Sequence, residues 1–190
     1  MDKFDRRRFV EAALKSSLIY LSYPAGAGTV SLTPAAARAR ALPLQALTHA
    51  QAQVLELLGE TIVPGSARLG LIHFLDHQLR ADPNDALLMA KYFQVALPYA
   101  AFYRSGVRAA SRMAHRLTGK TIPESSAAER VTLVKEMSVP GTALDGFPVN
   151  LFYLCLRSDA VDVVYGSVEG FKSLNIPYMQ HITPPEGWDG

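Results

Sequence analysis

Apolar residues recur at helical spacing from Leu47 to about residue 169, and turn residues cut the pattern into segments. Thr48-x-x-Gln51 has the form of a capping box, in which each side chain accepts from the other residue's backbone N–H. The helix it opens carries Leu47, Val54, Leu58 and Ile62 along one face, widened by Leu55 and Leu57, and Pro64-Gly65 ends it. A second helix is predicted over about 69–80, with Leu71, Ile72, Leu75 and Leu79 inward. Asp82-Pro83 restarts the chain into a third, over about 84–97, which Pro98 breaks. The fourth and longest reaches Gly119, with Tyr99, Tyr103, Val107, Ala110, Ala114 and Leu117 along one side. Ile122-Pro123 is a turn, and Ser125 or Ser126 caps a fifth helix that holds Val131, Val134 and Met137 and stops at Val139-Pro140-Gly141. A sixth is predicted over about 148–158 and a short one over about 159–169.

No strand-like alternation of useful length stands beside these segments. The last twenty residues, with Pro177, Pro184 and Pro185, form no long regular element and are expected to lie extended against something. The pattern predicts an all-α fold, a compact bundle of about six helices with an extended Pro-rich C-terminal tail over 170–190.

Composition narrows the classes. A chain of 190 residues, 49% apolar and 19% charged, is of single-domain size and excludes a disordered or collagen-like polymer. One cysteine forms no internal disulfide and no thiolate metal cluster. No apolar run reaches the roughly 20 residues of an ordinary membrane span.

Charge is divided unevenly. Residues 1–41 hold seven Lys or Arg against three acids, a net +4, whereas the remaining 149 residues are net −2. The body therefore gives no electrostatic reason to propose a nucleic acid partner. The basic start reads as an address: Arg6-Arg7-Arg8-Phe9-Val10 has the pattern of a twin-arginine export signal, with Arg6, Arg7 and Phe9 as its recognised residues. A short, moderately apolar stretch follows from Ala12 to Leu21, and Ala39-Arg40-Ala41 offers a small-residue cleavage site with Leu42 as the mature start. The division expected is an export signal over 1–41 and one helical domain over 42–190, in the periplasm. The alternative is a basic amphipathic helix that is retained as a membrane tether.

Candidate chemistry is sparse. His73-x-x-x-His77 puts two imidazoles on one helix face, where they can chelate zinc or copper or simply lie at a surface. The glutamate that hydrolytic zinc helices place after the first histidine is replaced by Phe74, and no metal site is assigned. Arg104, Arg108, Arg112 and Arg116 form a winding stripe that either docks an acidic partner or is a solvated outer face. Cys155, inside an apolar helix, is either a buried inert thiol or a bridge to another chain. No nucleophile elbow, phosphate loop or paired-carboxylate signature is present, so no catalytic residue is named. Aromatic and proline residues crowd the stretch from Asp159 to the end; Tyr165, Gly166, Phe171, Pro177, Tyr178 and Trp188 are candidates for binding a partner.

The order of these motifs carries a resemblance. A twin-arginine leader is followed by Leu47-Thr48-x-x-Gln51, Glu60-x-x-Val63-Pro64-Gly65, Phe74-Leu75-Asp76, Asp159-Ala160-Val161-Asp162-Val163-Val164-Tyr165-Gly166, and a terminal Pro184-Pro185-x-x-Trp188. The chain resembles the small subunit (subunit 3) of gluconate 2-dehydrogenase and related periplasmic sugar dehydrogenases. It departs from them at Ser167-Val168, where that family usually continues Tyr-Gly with Gly-Asn. The resemblance implies a non-catalytic accessory subunit without a cofactor of its own. Its expected partners are a large FAD-containing subunit of the glucose–methanol–choline type and, where present, a cytochrome c subunit carrying haem c. It would escort the large subunit through the twin-arginine machinery and stabilise it afterwards, with membrane association through the complex as one arrangement. A stand-alone exported metal-binding protein built on His73 and His77 is the alternative.

Overall fold

The computed structural model describes residues 19–25 and 28–166. A hairpin comes first, strand β1 (Leu21–Ala25) pairing antiparallel with β2 (Gly28–Leu32) so that Leu21 faces Leu32 and Tyr23 faces Val30. The helices are α1 (Pro34–Ala39), α2 (His49–Ile62), α3 (Leu71–Gln78), α4 (Met89–Tyr92), α5 (Tyr99–Thr118), α6 (Ala127–Ser138) and α7 (Val149–Tyr165). A second, minimal pair, β3 (Ala143–Leu144) with β4 (Phe147–Pro148), leads into α7. The helical fold expected from the pattern is the fold observed; the tail over 170–190 lies outside the described residues.

Helix α7 is the hub. It packs against α2, α3, α4, α5 and α6, and its buried residues include Phe152, Cys155, Leu156, Asp159, Ala160 and Val163. Phe152 reaches α5 where Gly106 leaves room for its ring; a Cβ at Gly106 would run into that ring. Phe102, Tyr103, Phe147 and Phe152 meet there mostly edge to face, with centroids 5.4–6.3 Å apart. Such pairs add to what their burial already contributes.

Local signals set most boundaries. Thr48 and Gln51 form the capping box read from the sequence, and Ser126, not Ser125, caps α6 through a box with Glu129. Ser125 is buried and donates its hydroxyl to the Thr121 carbonyl instead. Glu60 accepts from the backbone N–H groups of Gly65 and Ala67, so its carboxylate closes the turn that Pro64-Gly65 begins.

Three expectations need correction. The helix expected over 84–97 is only the four residues of α4. Asp82 takes the Asn84 N–H, Leu88 is extended, and Gln94 has φ +54°, so local polar bonds and backbone geometry hold the segment out of a helix. The two helices expected over 148–158 and 159–169 are one, because the buried acid at Asp159 is satisfied in the core and breaks nothing. The 21–32 hairpin has no counterpart in the helical reading. Its alternation is only two apolar residues per strand (Leu21 and Tyr23, Val30 and Leu32), and Pro24 interrupts it.

Residues 19–41, read from the sequence as the end of a leader, pack against the body. Leu21 and Ala37 have no exposed surface, and α1 packs on α3.

Candidate functional site

One opening lies at the C-terminal end of α7. It is a groove of about 510 Å³ between α3, the segment around α4 and the last turns of α7. Phe74 lies at its base and is wholly buried, and Val161 and Tyr165 line the α7 side. Leu87 and Tyr92 form the opposite rim, and Ile19 and Gly166 complete the wall. Asp162 is the one charged residue in the lining among the described residues, and burial raises its carboxyl above the ordinary value.

The rim is unusually apolar for a surface. Tyr92 is 66% exposed, with Leu87 and Tyr165 also exposed; Phe93 and Leu97, which follow Tyr92 in the chain, are exposed as well. Polar anchors underneath hold this segment. The Gln78 side-chain oxygen accepts the Leu87 N–H at 2.9 Å, and Asp159 accepts the Met89 N–H at 2.9 Å. Both acceptors are buried, so each offsets the desolvation of an N–H by bonding it. The exposed apolar side chains are therefore presented from a fixed backbone. Exposed large apolar residues gathered on one face mark interaction sites.

Asp159 itself is the core's buried acid. Its carboxylate also accepts the Tyr103 hydroxyl, and burial raises it to about 7. Asp76 does comparable work nearby, accepting from the backbone N–H groups of Gln45, Ala46 and Leu47 at 2.8–3.0 Å and fixing the approach to α2. Both acids belong to motifs read above, and both hold backbone in place.

The remaining candidates fall as follows. Tyr165 and Gly166 line the groove. Arg6, Arg7, Phe9, Phe171, Pro177, Tyr178 and Trp188 lie outside the described residues. His73 and His77 each direct Nε2 at a backbone carbonyl, of Leu42 at 3.2 Å and of Ser22 at 3.0 Å, so the pair ties down the preceding chain. Among the described residues no group of three metal-ligating side chains converges. Burial lowers the His73 ring below its ordinary value. The arginine stripe is exposed: Arg104 reaches the Ala46 carbonyl, Arg108 reaches Ser105, and Arg112 and Arg116 both reach Asp145. Cys155 is free and buried, and burial pushes its thiol up to about 12, which makes it an inert thiol.

Sequence reasoning missed Leu87, Tyr92, Phe93 and Leu97, because it enclosed them in an amphipathic helix. A signal was available: Ala86-Leu87-Leu88-Met89-Ala90 and Tyr92-Phe93 are too evenly apolar for a helix with one wet face. A second opening, of about 200 Å³, is lined by Met113, Arg116, Leu117 and Glu136 among others and is more charged. No helix among the described residues is long and apolar enough to cross a membrane.

No curated protein and no solved structure matches the chain. The family model described as gluconate 2-dehydrogenase subunit 3 matches residues 49–181, which takes in every helix from α2 to α7. That match covers well over half of the 190 residues, and the chain belongs to the gluconate 2-dehydrogenase subunit 3 family.

Proposed function

We propose that the chain is the non-catalytic accessory subunit of a periplasmic, FAD-dependent sugar or sugar-acid dehydrogenase. The flavin and the substrate site belong to a large partner subunit, which docks over the groove at the end of α7. A cytochrome c subunit with haem c receives the electrons where the complex has one. The Arg6-Arg7 signal carries the pair through the twin-arginine machinery, and the small subunit then stays bound.

The observation that carries this reading is the rim of the groove. Leu87, Tyr92 and Tyr165 line it and are large, apolar and exposed, in a chain whose family is named as a subunit. Tyrosine and phenylalanine are side chains that partner interfaces favour. Among the described residues the groove has one carboxyl in its lining and otherwise mostly apolar side chains, which suits an apolar protein surface better than a charged small molecule. The stand-alone metal reading has less support, because His73 and His77 are engaged with Leu42 and Ser22.

The test is a pull-down from the native periplasm through a C-terminal tag on a flexible linker, with absorbance spectra and mass spectrometry of the eluate. A large chain arriving with flavin bands is the expected result. A colourless single chain, with the tag shown not to block binding, would overturn the reading.

A further inference from the structure

Residues 19–42 are tied to the body at several independent points. Leu21 has no exposed surface and belongs to the main core. The His77 ring meets the Ser22 carbonyl at 3.0 Å, and the His73 ring meets the Leu42 carbonyl at 3.2 Å. Tyr23 packs its ring edge-on against His77, with centroids 5.4 Å apart, and directs its hydroxyl at the His73 carbonyl. Pro34 and Ala37 are buried in α1, and Arg38 pairs with Glu56 of α2. Gly70 has φ +88°, and a Cβ there would run into the Pro34 carbonyl, so the body is shaped around this segment.

The small-residue run Ala39-Arg40-Ala41 is itself folded. The Arg40 N–H bonds to the Ala36 carbonyl at 3.1 Å, and the Ala41 N–H bonds to Arg38 at 2.8 Å. The Leu42 N–H reaches back to Ala37 at 3.2 Å, and Ala41 has φ +49°. This is the left-handed cap that closes a helix. A peptidase that binds its substrate as an added strand needs extended backbone with free N–H groups. The bond after Ala41 offers neither.

We infer that residues 19–42 are a permanent strap of the mature domain, and that any removal of the leader cuts N-terminal to Ile19 and not after Ala41. The strap keeps Ile19 in the wall of the groove and keeps both α3 histidines bonded to its backbone. Cleavage after Ala41 would strip Leu21 out of the core and leave an unfilled seat beside Gly70. The inference rests on the packing of this segment and stands whether or not a large subunit docks on the groove.

The test uses the full-length chain with a C-terminal tag, produced in a bacterium that has the twin-arginine route. Intact mass spectrometry of the purified chain from periplasm and cytoplasm reads the N-terminus of each species. Every folded species is expected to contain residues 19–42; a major folded species that starts at Leu42 overturns the inference. Leu21→Ala provides a second readout on the purified product. A retained strap makes its melting temperature fall by about 5 °C or more, in line with large-to-small changes in a core. An unchanged melting temperature overturns the inference, because a residue that has been cut away cannot affect it.

Discussion

Tyr103 on α5 donates its hydroxyl to the carboxylate of Asp159 on α7, with both residues wholly buried. The same carboxylate holds the Met89 N–H at the start of α4. One acid thus joins the longest helix, the central helix and the segment that forms the rim of the groove. Asp159→Ala leaves the part-buried Met89 N–H and the buried Tyr103 hydroxyl without this partner, and a loss of about 3 kcal/mol is expected in urea unfolding. Tyr92 and Leu97 should then become more accessible to proteases, because the bond under α4 is gone.

Asp159 also sets a pH dependence. Burial raises its carboxyl from 3.8 to about 7, so the folded chain keeps a proton that the unfolded chain releases. The stability this proton contributes is complete below pH 3.8 and fades as pH climbs through about 7. Asp159→Asn cannot titrate, and it can still accept from Met89 while donating to Tyr103. Denaturation midpoints at pH 5 and pH 8 should therefore show the wild type losing stability relative to Asp159→Asn as pH rises. A constant difference between the two chains would remove Asp159 as the cause.

Asp76 is the corresponding anchor for the approach to α2. Three successive backbone N–H groups converge on its carboxylate. Asp76→Ala orphans all three, and a loss of about 2–4 kcal/mol is expected. Arg112→Ala, by contrast, breaks an exposed pair with Asp145 and should cost less than about 1 kcal/mol. Parallel thermal melts of the two variants check the ordering.

The groove makes a prediction about binding and not about stability. Tyr92 is mostly exposed, so Tyr92→Ala should leave the melting temperature within about 2 °C of the wild type. If the large subunit docks there, loss of an aromatic anchor should weaken the complex by about thirty-fold, corresponding to roughly 2 kcal/mol. Titration of the purified partner against both chains reads the change. Equal affinities would place the interface elsewhere on the molecule.

The proposed export role rests on two arginines. Replacing Arg6 and Arg7 together by Lys keeps the charge but removes the guanidinium pair the signal presents. Dehydrogenase activity should then remain in the cytoplasmic fraction while the folded small subunit keeps its melting temperature. Undiminished periplasmic activity would sink the escort role without touching the family assignment.

The parts of this fold that could be read in the sequence are those with a local cause. The Thr48 and Ser126 caps, the stop at Pro64-Gly65 and the run from Tyr99 to Gly119 all follow from neighbouring residues. The parts that could not be read depend on distant partners. Asp159 looks like a break in an apolar helix until Tyr103 and Met89, 56 and 70 residues away, supply its bonds. Leu87 and Tyr92 look like helix interior until Gln78 and Asp159 pin the backbone in another shape. The hairpin is held by α3 as well as by its own pairing, through His73 and His77, so two apolar residues per strand suffice. The groove was half legible, since Tyr165 and Gly166 were named and its opposite rim was not.

Helix α7 packs against five other helices and is the last one among the described residues. Protein synthesis runs from the N-terminus, so α2, α3 and α5 emerge from the ribosome with their inner faces uncovered and must wait for Phe152, Leu156 and Ala160 to close them. Contacts between residues about a hundred positions apart form late and slowly. The proposed export signal, at the front of such a chain, would be on display long before the body is finished. Under the proposed export role, a transport route that admits only folded cargo would hold the chain back until α7 has been made and packed, so that α7 would time departure as well as centre the core.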